Sequence, residues 1–364
     1  MRIALLVDPL TLRSRGGDHA PALAAQLIAR GHEVRGFGAP PGKVPHSVEY
    51  NELAGLSRFE PDVLVAYDGL SPTAFGAARV SRRTGARLIL VEPGHTREAT
   101  PLHERFLQGI GERLWGPYVR GAADVLVALD PVARDQAIGE GFDEESVHVL
   151  PVGLDLERWR PGASTSVLRR HGLRGHVVLY HGPLETSIGI EDAIRAFART
   201  AGQHPDWVLA ISGQGPGRQA LRNVAERQGV AASVRWLGEL PEEDLPGLFA
   251  SATLLLAPAV DDRPSARPVL QALASGVPVI ASDVERYRWA VPDDVHGLLV
   301  PCTDGTVTSC WESVLTRALH SPSARDRWSR AARAWAQEQL DWQHLADSFE
   351  ALMQPEVVEG DDAA

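Results

Sequence analysis

The sequence predicts an α/β protein with two parallel sheets, each covered by helices on both faces. Three observations carry that prediction. Short, continuously apolar runs recur through both halves of the chain, as in strands buried on both faces of a parallel sheet. Between them lie stretches of helical periodicity that end at glycines such as Gly31 and Gly276. The chain has 364 residues and is 44% hydrophobic, enough for two domains of ordinary size, each with its own core. Strands that alternate with helices pair in parallel, because each connection must cross back over the sheet. The two halves share this pattern without a readable sequence repeat.

Arg2–Val7 reads as the first strand. Leu10–Asp18 follows as a loop, Ala20–Arg30 as a helix and His32–Phe37 as the next strand. Gly16 and Gly17 stand just before that helix. Glycines there let backbone N–H groups approach a ligand closely, and they equally suit a plain tight turn. Pro61–Ala66, Arg87–Val91 and Asp124–Leu129 are further strands. His95 lies just past the second of these, at the carboxyl edge, where it either serves function or bonds a loop carbonyl. The run VHVLPVGLDLERW, Val147–Trp159, closes the first half, and Pro161–Arg174, polar with Pro161, Gly162 and Gly172, reads as a linker.

The second half opens with the strand Val177–His181 and the loop Gly182–Gly189. The helix Glu191–Arg199, the strand Trp207–Gly213 and the turn GQGPG follow. Leu221–Gln228 reads as a helix, Val234–Leu237 as a strand and Glu242–Ser251 as a helix. Thr253–Asp283, TLLLAPAVDDRPSARPVLQALASGVPVIASD, reads as strand, loop, helix, strand. Pro264 marks the loop, Pro268 suits a first helical turn, and Val269, Leu270, Ala272 and Leu273 give an apolar face. In an open α/β sheet such a loop lies at the carboxyl edge, where ligands bind, and the first-turn N–H groups of its helix offer a seat for phosphate. Arg325–Gln337 and Trp342–Met353 read as closing helices.

Net charge is −11, from 36 basic and 47 acidic residues, which argues against nonspecific nucleic-acid binding. Cys302 and Cys310 are too few for a disulfide framework or a metal cage. No spaced His/Asp/Glu set suggests a metal, and no G-x-S-x-G suggests a serine hydrolase. The start, MRIALLVD, lacks a signal-peptide pattern, and no long apolar run spans a membrane, so a cytoplasmic protein is expected. The acidic end reads as a disordered tail over 355–364.

The segment Thr253–Asp283 resembles the donor-site segment of retaining, family 4 type glycosyltransferases of GT-B fold, roughly E-G-F-G-x-P-x-x-E-A-x-A-x-G-x-P-V. Pro268, Ala272, Ala274, Gly276, Pro278 and Val279 match in register. The opening is similar to the same family through Gly16, Gly17, Leu27, Gly31, His32, Glu33 and Val34. Val147–Trp159 resembles its V-I-P-N-G-V-D-x-x-x-F, with Val152 in place of the asparagine. The run from SGQGPG to LLLAPA also follows the family, so the resemblance covers most of the chain. It implies two Rossmann-like domains with parallel sheets facing across a cleft. Residues 1–160 would form the acceptor side, 165–335 the nucleotide-sugar donor side, and 336–354 a helix crossing back to the first domain.

The resemblance further implies transfer of a sugar from a nucleotide-sugar donor to an unknown acceptor with retention, and no metal requirement. His95 would face the transferred sugar. Gly16, Gly17, Gly182, Arg263, Ala266, Arg267 and Gln271 would contact the donor. The family's donor-site side chains are nevertheless changed. Pro183 and Ile188 replace the arginine and lysine of G-R-L-x-x-x-K-G, and Arg263 and Gln271 replace the two glutamates. Two explanations stay open. Either Arg13, Arg15, Arg263 and Arg267 rebuild the charge in an electropositive cleft, or the chain is a catalytically silent partner subunit of another glycosyltransferase or a ligand-binding module.

Overall fold

The computed structural model describes residues 1–7, 19–38, 50–51, 53–93, 113–163, 167, 170–201, 206–262, 264–301 and 307–355. The chain divides into two compact units, Met1–Gly153 with Trp342–Ala364, and Leu154–Asp341.

The first unit holds β1 (Arg2–Leu6), β2 (Glu33–Phe37), β3 (Tyr50–Asn51), β4 (Val63–Tyr67), β5 (Arg87–Glu92), β6 (Val125–Ala128) and β7 (Val147–Val149). They form one sheet in the order β3-β2-β1-β4-β5-β6-β7. Every pairing is parallel, as continuously apolar strands require. Side chains alternate between two cores. Ala4 and Leu6 pack on one face with Ala74, Ala77 and Ala78 of the helix Pro72–Thr84. Ile3 and Leu5 pack on the other with Leu23 and Leu27 of the helix His19–Ala29. That helix begins one residue earlier than its periodicity predicts.

The last helix, Trp342–Met353, belongs to this unit. Phe349 and Met353 enter the same core as Ile3 and Leu5. The Arg87 Nε donates to the Leu352 carbonyl at 2.8 Å, and an Arg30 guanidinium nitrogen donates to the Gln343 carbonyl at 2.8 Å. Gly153 lies flat against the Trp342 indole, and a Cβ there would stand 2.6 Å from the ring.

The second unit holds β8 (His176–His181), β9 (Trp207–Ser212), β10 (Val234–Gly238), β11 (Leu254–Ala257), β12 (Val279–Ser282) and β13 (Gly297–Val300). Their order is β10-β9-β8-β11-β12-β13, again parallel throughout. Val177 and Leu179 of β8 face one core, Val178 and Tyr180 the other. The helix expected over Glu242–Ser251 begins only at Leu245, with Pro246 in its first turn, the position proline tolerates best. The helix expected from Leu221 begins at Arg218.

The stretch read as a linker contributes to the core of this unit. Val167 and Leu173 are buried there beside Leu154 and Trp159, and Trp159 packs edge-to-face on Phe249 at 5.5 Å. The boundary therefore falls at Gly153, before these anchors. The expected acidic tail lies outside the described residues from Glu356 on.

Candidate functional site

In the second sheet the strand order reverses between β8 and β11, so the connections from their carboxyl ends leave on opposite faces and open a crevice. A cavity of about 50 Å³ sits there. Tyr180 and His181 reach it from β8, and Leu256 and Ala257 from β11. Gly182, Pro183 and Ile188 come from the loop after β8. Pro258, Pro264, Ser265, Pro268 and Val269 come from the loop and helix after β11, and Tyr287 from the short helix Glu285–Arg288. Among these described lining residues no side chain is formally charged at neutral pH.

Close backbone packing shapes the β8 loop. The Leu184 N–H donates to the Gln214 carbonyl at 2.8 Å, and the Gly217 N–H donates to the Leu184 carbonyl at 2.8 Å. Gly213 adopts φ +133°, and a Cβ there would lie 1.9 Å from the Gly182 carbonyl oxygen. At Gly215 a Cβ would lie 2.4 Å from the Leu184 oxygen. The turn GQGPG therefore needs its glycines to let two backbones touch.

The polar groups of the cavity are mostly committed. The Tyr180 hydroxyl donates to the Pro183 carbonyl at 2.6 Å, and burial pushes its pKa well above the ordinary phenol value. His181 is held edge-to-face by Phe249 at 5.5 Å, its Nδ1 3.3 Å from the Ser212 hydroxyl. Burial lowers its pKa to about 4, so the ring is neutral at pH 7. The Ser265 hydroxyl accepts the Arg267 N–H at 3.2 Å.

The helix expected to seat a phosphate runs Arg267–Ala274, with Ala266 at its N-cap and buried. Its first turn is thinner in free donors than the sequence suggests. The Arg267 N–H is taken by Ser265, Pro268 has none, and the Leu270 N–H bonds the Ala266 carbonyl at 3.0 Å. The half-buried Arg267 guanidinium lies 3.7 Å from Glu242, and burial lowers its pKa. Gln271 is buried one turn along, on the face that Pro268 shares. The other nearby helix start, Ile190–Ala201, carries Glu191 and Asp192 in its first turn, which disfavours an anion there.

Gly182, Pro183 and Ile188 thus reach the cavity, whereas Ala266, Arg267 and Gln271 belong to the helix beside it without being among its lining residues. Gly16, Gly17, His95 and Arg263, like Arg13 and Arg15, lie outside the described residues. Sequence reasoning missed His181, Tyr287 and Arg286. His181 ends a strand at the carboxyl edge, the signal that singled out His95. Arg286 is 1% exposed. Its backbone N–H donates to the Asp262 carboxylate at 2.7 Å and its Nε to the Asp262 carbonyl at 2.6 Å, tying the loop after β11 to the helix Glu285–Arg288.

In the first unit the order reverses between β1 and β4. His19 lies by that crevice, buried, its Nδ1 2.8 Å from the hydroxyl of Tyr67, the last residue of β4. Its ring also meets that of Trp342, with centroids 5.4 Å apart. Burial lowers the His19 pKa to about 4. No helix among the described residues is long and apolar enough to cross a membrane.

Comparison with known proteins bears on both units. The chain is 31% identical to a glycogen synthase of Mycobacterium tuberculosis over 227 residues, 62% of this chain and 52% of that protein, so it spans about half the length of that relative. It is 27% identical to a GDP-mannose-dependent alpha-(1-6)-phosphatidylinositol monomannoside mannosyltransferase of Mycolicibacterium smegmatis, over 90% of this chain and 92% of that one. Among solved structures it resembles Anabaena HepE in complex with UDP, with TM-score 0.79, 17% identity, and 96% and 99% of the two chains covered. The "Glycosyl transferase 4-like domain" model matches residues 35–153, and the "Glycosyl transferases group 1" model matches residues 170–335. With two parallel α/β units and both models matched across most of its length, the chain belongs to the group 1 glycosyltransferases of GT-B fold.

Proposed function

We propose that this protein transfers a sugar from a nucleotide-sugar donor to an acceptor with retention of configuration, in a cytoplasmic setting. Leu154–Asp341 serves the donor and the first unit the acceptor. The observation that carries this reading is the cavity at the strand-order reversal of the second sheet, walled by the two loops that the family resemblance assigns to the donor. HepE has been solved with UDP and with UDP-glucose, and the mannosyltransferase relative is GDP-mannose-dependent, which supports a nucleotide sugar here.

As the glycosidic bond breaks, negative charge builds on the departing diphosphate, and aimed donors or cations must stabilise it. The uncharged wall of the cavity offers that group no cation. The diphosphate therefore belongs at its rim, beside the exposed Pro183 and the helix start at Arg267. Arg267 supplies the cation, with Arg263, Gly16 and Gly17 as further donor contacts. Gln271 offers a neutral hydrogen bond where the family has a carboxylate, and His95 faces the sugar. No metal is needed in this scheme.

A second reading, a catalytically silent partner subunit, draws on the uncharged cavity wall. Calorimetric titration of the full chain with UDP, GDP, ADP and their glucose or mannose conjugates separates the two. The transferase reading expects saturable binding of at least one diphosphate and slow release of sugar from its conjugate. Absence of heat with all of them refutes it and leaves the partner reading.

A further inference from the structure

We propose that His181 is a ligand-binding residue whose bare Nε2 accepts a hydrogen bond from a hydroxyl of the bound nucleotide sugar. This rests on the donor reading above and deepens it, because it states which part of the donor enters the cavity. The argument starts from a proton count. The Ser212 hydroxyl is fully buried and donates to the Gly238 carbonyl at 3.3 Å. A hydroxyl has one proton, and we assign it to that carbonyl, so that Ser212 accepts from the imidazole 3.3 Å away and the His181 Nδ1 carries the ring proton. Burial keeps the ring neutral at physiological pH. A neutral imidazole protonated on Nδ1 presents a lone pair on Nε2.

That lone pair belongs to a residue lining a largely apolar cavity. No described residue donates to it, and it is not closed off from solvent, so a ligand entering the cavity can reach it. A phosphate oxygen cannot satisfy it, since both atoms are acceptors. A hydroxyl can, and the uncharged wall of the cavity suits a neutral, hydroxyl-bearing group better than a diphosphate. Of the neighbouring polar groups, the Tyr180 hydroxyl is spent on Pro183, and the Ser265 oxygen receives the Arg267 N–H. His181 thus sorts the donor, hydroxyl inward and phosphate at the rim. Both ribose and the transferred sugar offer such a hydroxyl, and the test distinguishes them.

Two measurements on the full chain test this. Long-range proton–nitrogen spectra of histidine-labelled protein, with the signal assigned by its loss in His181→Phe, should show the Nδ1–H tautomer. The Nε2–H tautomer overturns the proposal without reference to any ligand. Calorimetry then compares wild type, His181→Phe, which keeps a flat ring against Phe249, and His181→Gln, which restores an acceptor. We expect about tenfold weaker binding for the phenylalanine variant, the loss of one hydrogen bond, and recovery to within about threefold for the glutamine variant. A loss seen with UDP assigns the ribose hydroxyl, and a loss seen only with UDP-glucose assigns the sugar. Equal binding by all three proteins overturns the role of His181 while the donor reading stands. If wild type binds no nucleotide, the donor reading falls and this inference with it. Thermal melts identify a variant that has failed to fold, and the spectra then decide.

Discussion

Restoring the missing charges, Pro183→Arg with Ile188→Lys, tests the site most directly. Both residues line the cavity, Pro183 exposed and Ile188 half-buried. Two unit charges 4 Å apart attract by about 4 kcal/mol at the effective dielectric of a protein surface. Solvent exposure at position 183 reduces this to about 1 kcal/mol, and the more sheltered position 188 allows about 2 kcal/mol. The carbonyl at position 183 survives the substitution, so the Tyr180 hydroxyl keeps its acceptor. Losing the half-buried Ile188 side chain costs about 1 kcal/mol of stability, which a lysine stem partly recovers. The double variant should therefore bind UDP or GDP about a hundredfold more tightly, with a melting temperature a few degrees lower. Titration calorimetry and a thermal melt of each protein read the two effects separately. Weaker binding would show that Arg267 and Arg263 already fill the anion site and repel the new cations. Unchanged binding in a folded variant would refute the placement of the diphosphate at this rim.

Other substitutions probe the frame. Gly153→Ala should destabilise the first unit by about 1–3 kcal/mol, because its Cβ would stand 2.6 Å from the Trp342 ring and force the last helix outward; denaturant unfolding reads this. Arg286→Met should cost about 1–3 kcal/mol by stripping the Asp262 carbonyl of its donor, and should weaken nucleotide binding through the loop it holds. The folded pKa of His19, about 4, lies below its unfolded value of 6.5, so its share of stability is complete above pH 6.5 and is lost as pH falls toward 4. That share amounts to about 3 kcal/mol, and melts of wild type against His19→Gln between pH 7 and 5 should show the variant with the shallower decline.

The strands were legible because a parallel sheet buried on both faces writes itself as an uninterrupted apolar run. VVLY of β8 and LLLA of β11 carry no polar residue to confuse the period. The helix Pro72–Thr84 was not, since it buries mainly small residues, Thr73, Ala74, Ala77, Ala78 and Ser81, which give little hydrophobic contrast. The domain boundary was misplaced for a different reason. Trp159 looks like the end of the first half until Phe249, far along the chain, is seen beneath it. His181 needed two partners, Ser212 and Gly238, brought together only by the sheet order. Local pattern reveals elements, whereas a proton count needs the fold.

The glycines and the charged residues of a family motif answer to different forces, which bears on what their survival means. Gly213 and Gly215 are held by backbone atoms that a Cβ would strike at 1.9 and 2.4 Å. Any protein keeping this loop packing must keep them, whether or not it moves a sugar. A cation opposite a diphosphate has no such structural hold, and only the reaction or the ligand retains it. The intact glycine frame is therefore an argument about fold, and Pro183 and Ile188 are the argument about chemistry. An uncharged wall is still compatible with transfer if the cavity receives the neutral, hydroxyl-bearing part of the donor, as proposed for His181. The burden of the leaving group then shifts outward, to Arg267 and the helix it opens. That division makes the His181 and Pro183/Ile188 experiments independent: one reads a hydroxyl of the ligand, the other its phosphates.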